Sequence, residues 1–131
     1  MKTIAILGII TGVFIILFWV AFFTVGLAPE NPPPCYFAYE HAFPLPDILL
    51  ALLLIASGSL VLNGKPLGKT LSLVAAGALI FLGLLDFSFN IQNGIYASSV
   101  MDLILNAFIN AWCVAFGLAI IWCGRQAMKQ A

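Results

Sequence analysis

The sequence predicts an all-α integral membrane protein whose four transmembrane helices form an up-down-up-down antiparallel bundle. Hydrophobic residues make up 63% of the chain and charged residues only 8%. A soluble domain carries about 25% charged residues, so this chain has too few polar groups to cover a water-facing surface. Long uncharged runs separate the charges, and about 20 apolar residues are enough for a helix to cross a bilayer. We therefore expect membrane lipid to surround the protein.

The charges alternate along the chain in blocks of one sign. Basic residues lie near both chain ends and between the second and third predicted helices: Lys2, Lys65, Lys69, Arg125 and Lys129. Acidic residues lie in the other regions: Glu30, Glu40, Asp47, Asp86 and Asp102. Because basic loops stay in the cytoplasm, this pattern predicts cytoplasmic termini in a plasma or inner membrane. The formal net charge of zero gives a nucleic-acid partner no electrostatic basis.

The first predicted helix covers residues 3–27, which carry no charge. This run is longer than the apolar region of a signal peptide, which has about 7–15 residues, so we expect the helix to be retained. Gly8 and Gly12 form a G-x-x-x-G match, which allows another helix to approach closely. We expect this face to pack on a partner helix.

A long outer loop is predicted at residues 28–46. The consecutive prolines 32–34 favour an extended backbone at its start. Between Cys35 and Phe43, a short interfacial helix is expected because several aromatic residues there suit the membrane surface.

The remaining spans are predicted at residues 47–62, 70–91 and 99–123. Ser99 and Asp102 match the spacing of a capping box at the start of the last span. Asp47 and Asp102 each begin an apolar run, which favours helix-capping roles for both carboxylates. The shared aspartate-plus-apolar pattern is compatible with two tandem hairpin repeats.

Asp86 is the most informative single residue, because it lies inside the third predicted span. Ionisable groups at membrane depth usually face the protein interior or a wet cavity. Asn90 follows on the same helical face, and Asn106 and Asn110 form a second polar stripe on the fourth helix. Antiparallel pairing puts Asp86 level with Asn106. The two stripes indicate either a ligand pocket or hydrogen bonds that only hold two helices together.

Glu40 and His41 in the outer loop are weaker candidates. Together with Tyr36 and Tyr39, they would form a lid over the pocket. His41 is the only histidine, which excludes a multi-histidine zinc site and favours a solvated interfacial pair with Glu40. The sequence contains neither a C-x-x-C pair nor a glycine-rich phosphate loop. It therefore predicts no catalytic residue, metal or cofactor.

The leading hypothesis is a small membrane protein whose outward-facing polar pocket binds or conducts a cation or a small polar ligand. The predicted ligand-binding residues are Asp86, Asn90, Asn106, Asn110, Glu40, His41, Tyr36 and Tyr39. A first alternative is a non-catalytic accessory subunit, which would associate with other membrane subunits or with copies of itself. A second alternative is a lipid-modifying enzyme that uses Asp86 or Glu40 as an acid or base.

Overall fold

The structure, a computed structural model, describes the backbone of residues 1–129 and the side chains of residues 1–126. Its α-helices are α1 (Lys2–Thr24), α2 (Tyr36–Glu40), α3 (Pro44–Leu62), α4 (Pro66–Gln92) and α5 (Val100–Lys129), and a 3₁₀ turn covers Ile95–Ala97. Four helical segments are long and apolar enough to cross a membrane: α1, α2 together with α3, α4, and α5. The side chain of Lys129, one of the predicted cytoplasmic cations, lies outside the described residues.

Two prolines start helices earlier than the sequence indicated. α3 begins at Pro44 rather than Asp47, and α4 begins at Pro66 rather than Thr70. Proline lacks an N–H and has a fixed φ, so it fits the first helical turn, where N–H groups have no intrahelical partner. α3 is therefore 19 residues long, and Asp47 lies inside its first turn instead of capping it. A short helix was expected between Cys35 and Phe43, and α2 lies there.

One of the two backbone bonds of the expected capping box is present at the start of α5. The backbone N–H of Asp102 donates to the Ser99 hydroxyl oxygen at 3.0 Å. The Ser99 hydroxyl in turn donates to the Asp102 carboxylate at 2.7 Å. The Ser99 hydroxyl therefore satisfies a free backbone donor at the start of the helix, and the Asp102 carboxylate orients that hydroxyl.

Small residues bring α1 and α3 into close contact. A Cβ atom added to Gly12 would lie 2.7 Å from the backbone oxygen of Ala51, and one added to Gly8 would lie 3.8 Å from that of Leu54. A Cβ atom on Gly58 of α3 would likewise lie 2.6 Å from a backbone oxygen of α1. The prediction that Gly8 and Gly12 pack on another helix is confirmed, and that helix is α3.

Glycines also form the contact between α4 and α5. A Cβ atom on Gly83 of α4 would lie 3.0 Å from the backbone oxygen of Asn110, and one on Gly117 of α5 would lie 2.8 Å from that of Ala76. Later positions on α5 thus meet earlier positions on α4. The backbones of α4 and α5 are therefore in close contact along much of the length of the two helices.

The apolar core joins α3, α4 and α5. Its buried members are Leu50, Leu54, Ala75, Ala76, Leu79, Cys113, Phe116 and Ile120. Helix α1 packs mainly on α3 and meets α5 at few positions. The bundle is therefore a row of helices, α1–α3–α4–α5, whose two outer members leave a seam between them.

Candidate functional site: an acidic cleft between α1 and α5

A cleft of about 600 Å³ lies along the seam between α1 and α5. Helix α1 lines it from Leu7 to Trp19, and α5 lines it from Leu105 to Cys113. Most of the lining side chains are apolar. The acidic lining residues are Glu40, Asp47 and Asp86, which come from three different helices. All three lie toward the end of the bundle where α1 stops and α3 starts.

Asp86 is held by uncharged hydrogen-bond donors. The Asn90 amide, one turn later on α4, donates to its Oδ2 atom at 3.2 Å, and the Tyr39 hydroxyl donates to Oδ1 at 3.5 Å. The Asn110 side chain lies beside the same carboxylate. These neighbours orient Asp86 and bring no opposite charge to it.

Tyr39 reaches Asp86 from α2 because its ring is held against α4. It stacks on Phe89 with a centroid distance of 3.7 Å and an interplanar angle of 5°. A parallel contact at this distance buries one face of each ring against the other. The stack therefore fixes the short helix α2, and with it Glu40, over the end of the cleft.

Asp47 lies in the cleft, although the sequence predicted a helix-capping role for it. It is buried, lines the cleft and accepts a hydrogen bond of 2.9 Å from the indole N–H of Trp19. Its expected capping role fails because α3 begins three residues earlier, at Pro44. The sequence separation of 28 residues between donor and acceptor leaves no local pattern that would reveal this pair.

The acidic end of the cleft has no cationic partner among the side chains that the structure describes. Glu40 interacts electrostatically with both Asp86 and Asp47. Among the described side chains, no lysine, arginine or histidine lines the cleft. Lys69, at the other end of α4, is about 25 Å from Asp86 at a rise of about 1.5 Å per residue.

The two asparagines of α5 both line the cleft, with different partners. The buried Asn110 amide donates to the Tyr96 hydroxyl oxygen at 2.7 Å, which ties α5 to the 3₁₀ turn. The Asn106 amide donates to the backbone oxygen of Asp102 at 2.9 Å. Asn106 therefore shares the cleft with Asp86, while its amide N–H bonds within its own helix.

The outer-loop candidates separate into two groups. Tyr36 is buried and lines the cleft beside Glu40. His41 is exposed, does not line the cleft and packs its ring against Phe22, Phe23 and Phe37. The neighbours Glu40 and His41 thus face different surroundings.

A hydrogen bond crosses the seam nearer the middle of the bundle. The Trp112 indole of α5 donates to the Thr11 hydroxyl of α1 at 3.2 Å. Like the bond between Trp19 and Asp47, it joins residues far apart in the sequence. The side chains that the sequence analysis missed are therefore Trp19, Asp47, Thr11 and Trp112.

The described residues offer no metal centre. Among them, no group of three His, Cys, Asp or Glu side chains is arranged to hold a metal ion. The carboxylates of the cleft instead face a largely apolar space.

Comparison with known proteins identifies a family. A family described as "Domain of unknown function (DUF8058)" matches residues 1–126. No curated protein and no solved structure matches the chain.

Proposed function

We propose that this chain, which belongs to the DUF8058 family, is a small membrane protein that binds a positively charged molecule in the cleft between α1 and α5. One observation carries the proposal. Glu40, Asp47 and Asp86 converge on a cleft that no basic side chain lines among the residues described. A bound cation would supply the countercharge that the protein does not.

Distance decides against compensation of Asp86 by Lys69. Two unit charges about 25 Å apart interact by about 0.7 kcal/mol at an effective dielectric constant of about 20. A ligand cation about 4 Å from a carboxylate gains about 4 kcal/mol at the same dielectric constant. Ionisable groups at membrane depth are costly and typically mark substrate or ion pathways. A ligand in the cleft is thus the stronger source of countercharge.

The contacts between helices support the up-down-up-down antiparallel bundle. Along α1 and α3, Gly8 and Gly12 meet successively earlier residues, Leu54 and Ala51. Along α4 and α5, Gly83 meets Asn110 and Ala76 meets Gly117, again in reverse order. With the basic segments in the cytoplasm, this arrangement turns the acidic end of the cleft outward in a plasma or inner membrane.

The extent of the lining favours binding over conduction. On α1 it stops at Leu7, and on α5 it stops at Cys113. Beyond Cys113, Phe116 and Ile120 are buried in the core that joins α5 to α3 and α4. A pathway through the whole bundle would have to cross this packed region.

Two ions of the same shape and opposite charge test the proposal. The protein is placed in nanodiscs of zwitterionic lipid, and its thermal unfolding midpoint is measured with tetraphenylphosphonium or with tetraphenylborate. We expect only the cation to raise the midpoint, because a ligand that binds the folded state stabilises it. In Asp86→Asn, which keeps the side-chain shape and removes the charge, we expect most of this rise to disappear.

Glu30→Gln is the matched control. Glu30 is an exposed acid of the outer loop that does not line the cleft. We expect this variant to respond to tetraphenylphosphonium as the wild type does. Equal stabilisation of wild type and Asp86→Asn by the cation would overturn the proposal.

A second candidate function is that of an accessory subunit. It is favoured by the open seam, where Phe14 and Phe108 line the cleft and are 65% and 66% exposed. A helix from a partner subunit would cover both rings. This candidate predicts that the protein purified alone aggregates in detergent, whereas a cation-binding protein stays monodisperse.

A further inference from the structure

We infer that the ligand of the cleft is a single-chain amphiphile with a cationic head group, which reaches the cleft sideways from the lipid. This inference rests on the proposed function and specifies its substrate class. It depends on the shape of the cleft, on the distribution of polar groups within it and on its open side.

The cleft is elongated and polar at one end. From Trp19 to Leu7 its α1 wall is about 18 Å long at about 1.5 Å per residue. The acidic residues lie near the Trp19 end, where Asp47 accepts the hydrogen bond from Trp19. Toward the other end, the wall is formed mainly by apolar residues such as Leu7 and Ile10, with the Thr11 hydroxyl already bonded to Trp112.

This distribution matches a charged head attached to an apolar tail. A small hydrated cation would fill only the acidic end and leave the apolar walls without a ligand. The volume of about 600 Å³ falls within the range of about 300–1,000 Å³ typical of pockets for drug-sized molecules. A tail of about ten carbons therefore has room beside a head group at Asp86 and Glu40.

The open side of the cleft faces the surface that lipid would cover. Phe14 of α1 and Phe108 of α5 line the cleft and are also exposed to the outside of the bundle. The cleft wall is thus continuous with the lipid-facing surface. A molecule dissolved in the membrane would reach the acids without crossing the outer loop.

Charge complementarity selects this ligand from the surrounding lipid. The tail gains little by leaving lipid for an apolar cleft, since both environments are apolar. The head group gains the attraction of carboxylates in a region of low dielectric constant. Neutral and anionic amphiphiles lack this gain, and anionic ones are repelled.

The test measures the contributions of the head group and of the tail to binding separately, with the protein in nanodiscs of zwitterionic lipid. The probes are tetramethylammonium, decyltrimethylammonium and the uncharged decyl maltoside, and the measurement is the unfolding midpoint as a function of ligand concentration. We expect decyltrimethylammonium to bind most tightly, because its tail concentrates it in the bilayer beside the open side of the cleft. Decyl maltoside should bind weakly, because it has the tail without the charge.

Two isoleucines of α1 give a matched pair of variants. Ile10 lines the cleft and is 45% exposed, whereas Ile6, one turn earlier, does not line it and is 48% exposed. We expect Ile10→Trp to weaken binding of decyltrimethylammonium about tenfold, in keeping with the usual cost of overfilling a packed space. Ile6→Trp should leave binding unchanged, and neither variant should alter the response to tetramethylammonium.

A photoreactive probe provides a second measurement on the unaltered protein. A decyltrimethylammonium analogue with a diazirine on its tail should label residues 7–14 of α1 or 105–113 of α5. Labelling concentrated instead at Phe81, an exposed residue of α4 outside the cleft, would overturn the inference.

The failures of the two proposals are distinguishable. If tetramethylammonium binds as tightly as decyltrimethylammonium, and Asp86→Asn abolishes both, the cleft is a cation site and the amphiphile inference is wrong. If no cation depends on Asp86 for binding, the proposed function itself is wrong. Equal affinity for decyl maltoside would show that the tail alone is recognised, which also rejects the cationic head.

Discussion

The indole N–H of Trp19 donates a hydrogen bond of 2.9 Å to the carboxylate of Asp47, and both residues are buried. The bond joins α1 to the first turn of α3 at the acidic end of the cleft. It leaves the Asp47 carboxylate on the cleft wall while satisfying one of its oxygens. The bond between Trp19 and Asp47 thus holds α1 against α3 and also places a carboxylate on the cleft wall.

Replacing Trp19 by phenylalanine should destabilise the protein. The variant keeps an aromatic ring but leaves a buried Asp47 oxygen without its donor, which typically costs about 1–3 kcal/mol. We expect a lower unfolding midpoint in detergent. The matched control is Trp122→Phe, since Trp122 is 64% exposed and does not line the cleft. Equal losses in the two variants would show that the hydrogen bond to Asp47 does not stabilise the fold.

Two glycine-to-alanine substitutions should change stability in opposite directions. A Cβ atom at Gly12 would meet the Ala51 backbone oxygen at 2.7 Å, so Gly12→Ala must separate α1 from α3, at a cost of about 1–3 kcal/mol. A Cβ atom at Gly77 of α4 would have no neighbour within 4 Å. Gly77→Ala should therefore gain up to about 1 kcal/mol from helix propensity.

The free energy of unfolding in mixed detergent measures both effects. Gly12 packs at the α1–α3 contact and does not line the cleft. Because α1 forms one wall of the cleft, Gly12→Ala should also shift that wall. A Gly12→Ala protein as stable as the wild type would contradict the close approach of the two helices.

Cysteine labelling in intact cells tests the membrane orientation. Cys35 lies in the loop predicted to face outward, is exposed and donates from its thiol to the Asn93 side chain at 3.5 Å. We expect a membrane-impermeant maleimide to label Cys35 from outside, and Cys35→Ser to lose this label. In the Cys35→Ser background, Lys65→Cys should be labelled only after the membrane is permeabilised, because residue 65 lies in the predicted cytoplasmic connection. Labelling of the two positions with the sides reversed would reject the predicted topology.

Much of the local structure followed from the sequence. The helical segments, the short helix in the outer loop and the capping box of Ser99 and Asp102 depend on neighbouring residues, so their patterns are visible along the chain. The packing role of Gly8 and Gly12 was also predictable, since their spacing places both on one face. Pro44 and Pro66 were misjudged as boundaries because a proline that ends one segment also fits the first turn of the next helix.

The sequence by itself determined that this protein is helical, apolar enough for a membrane and charged in separated blocks, because composition and period are properties of short segments. Only the tertiary structure decided which polar residues meet. Asp47 lies on the cleft wall with Asp86, whereas His41, adjacent to Glu40, lies on an exposed aromatic surface. The same holds for the open seam between α1 and α5, since the order of helices in a bundle depends on how whole faces fit together across long sequence distances.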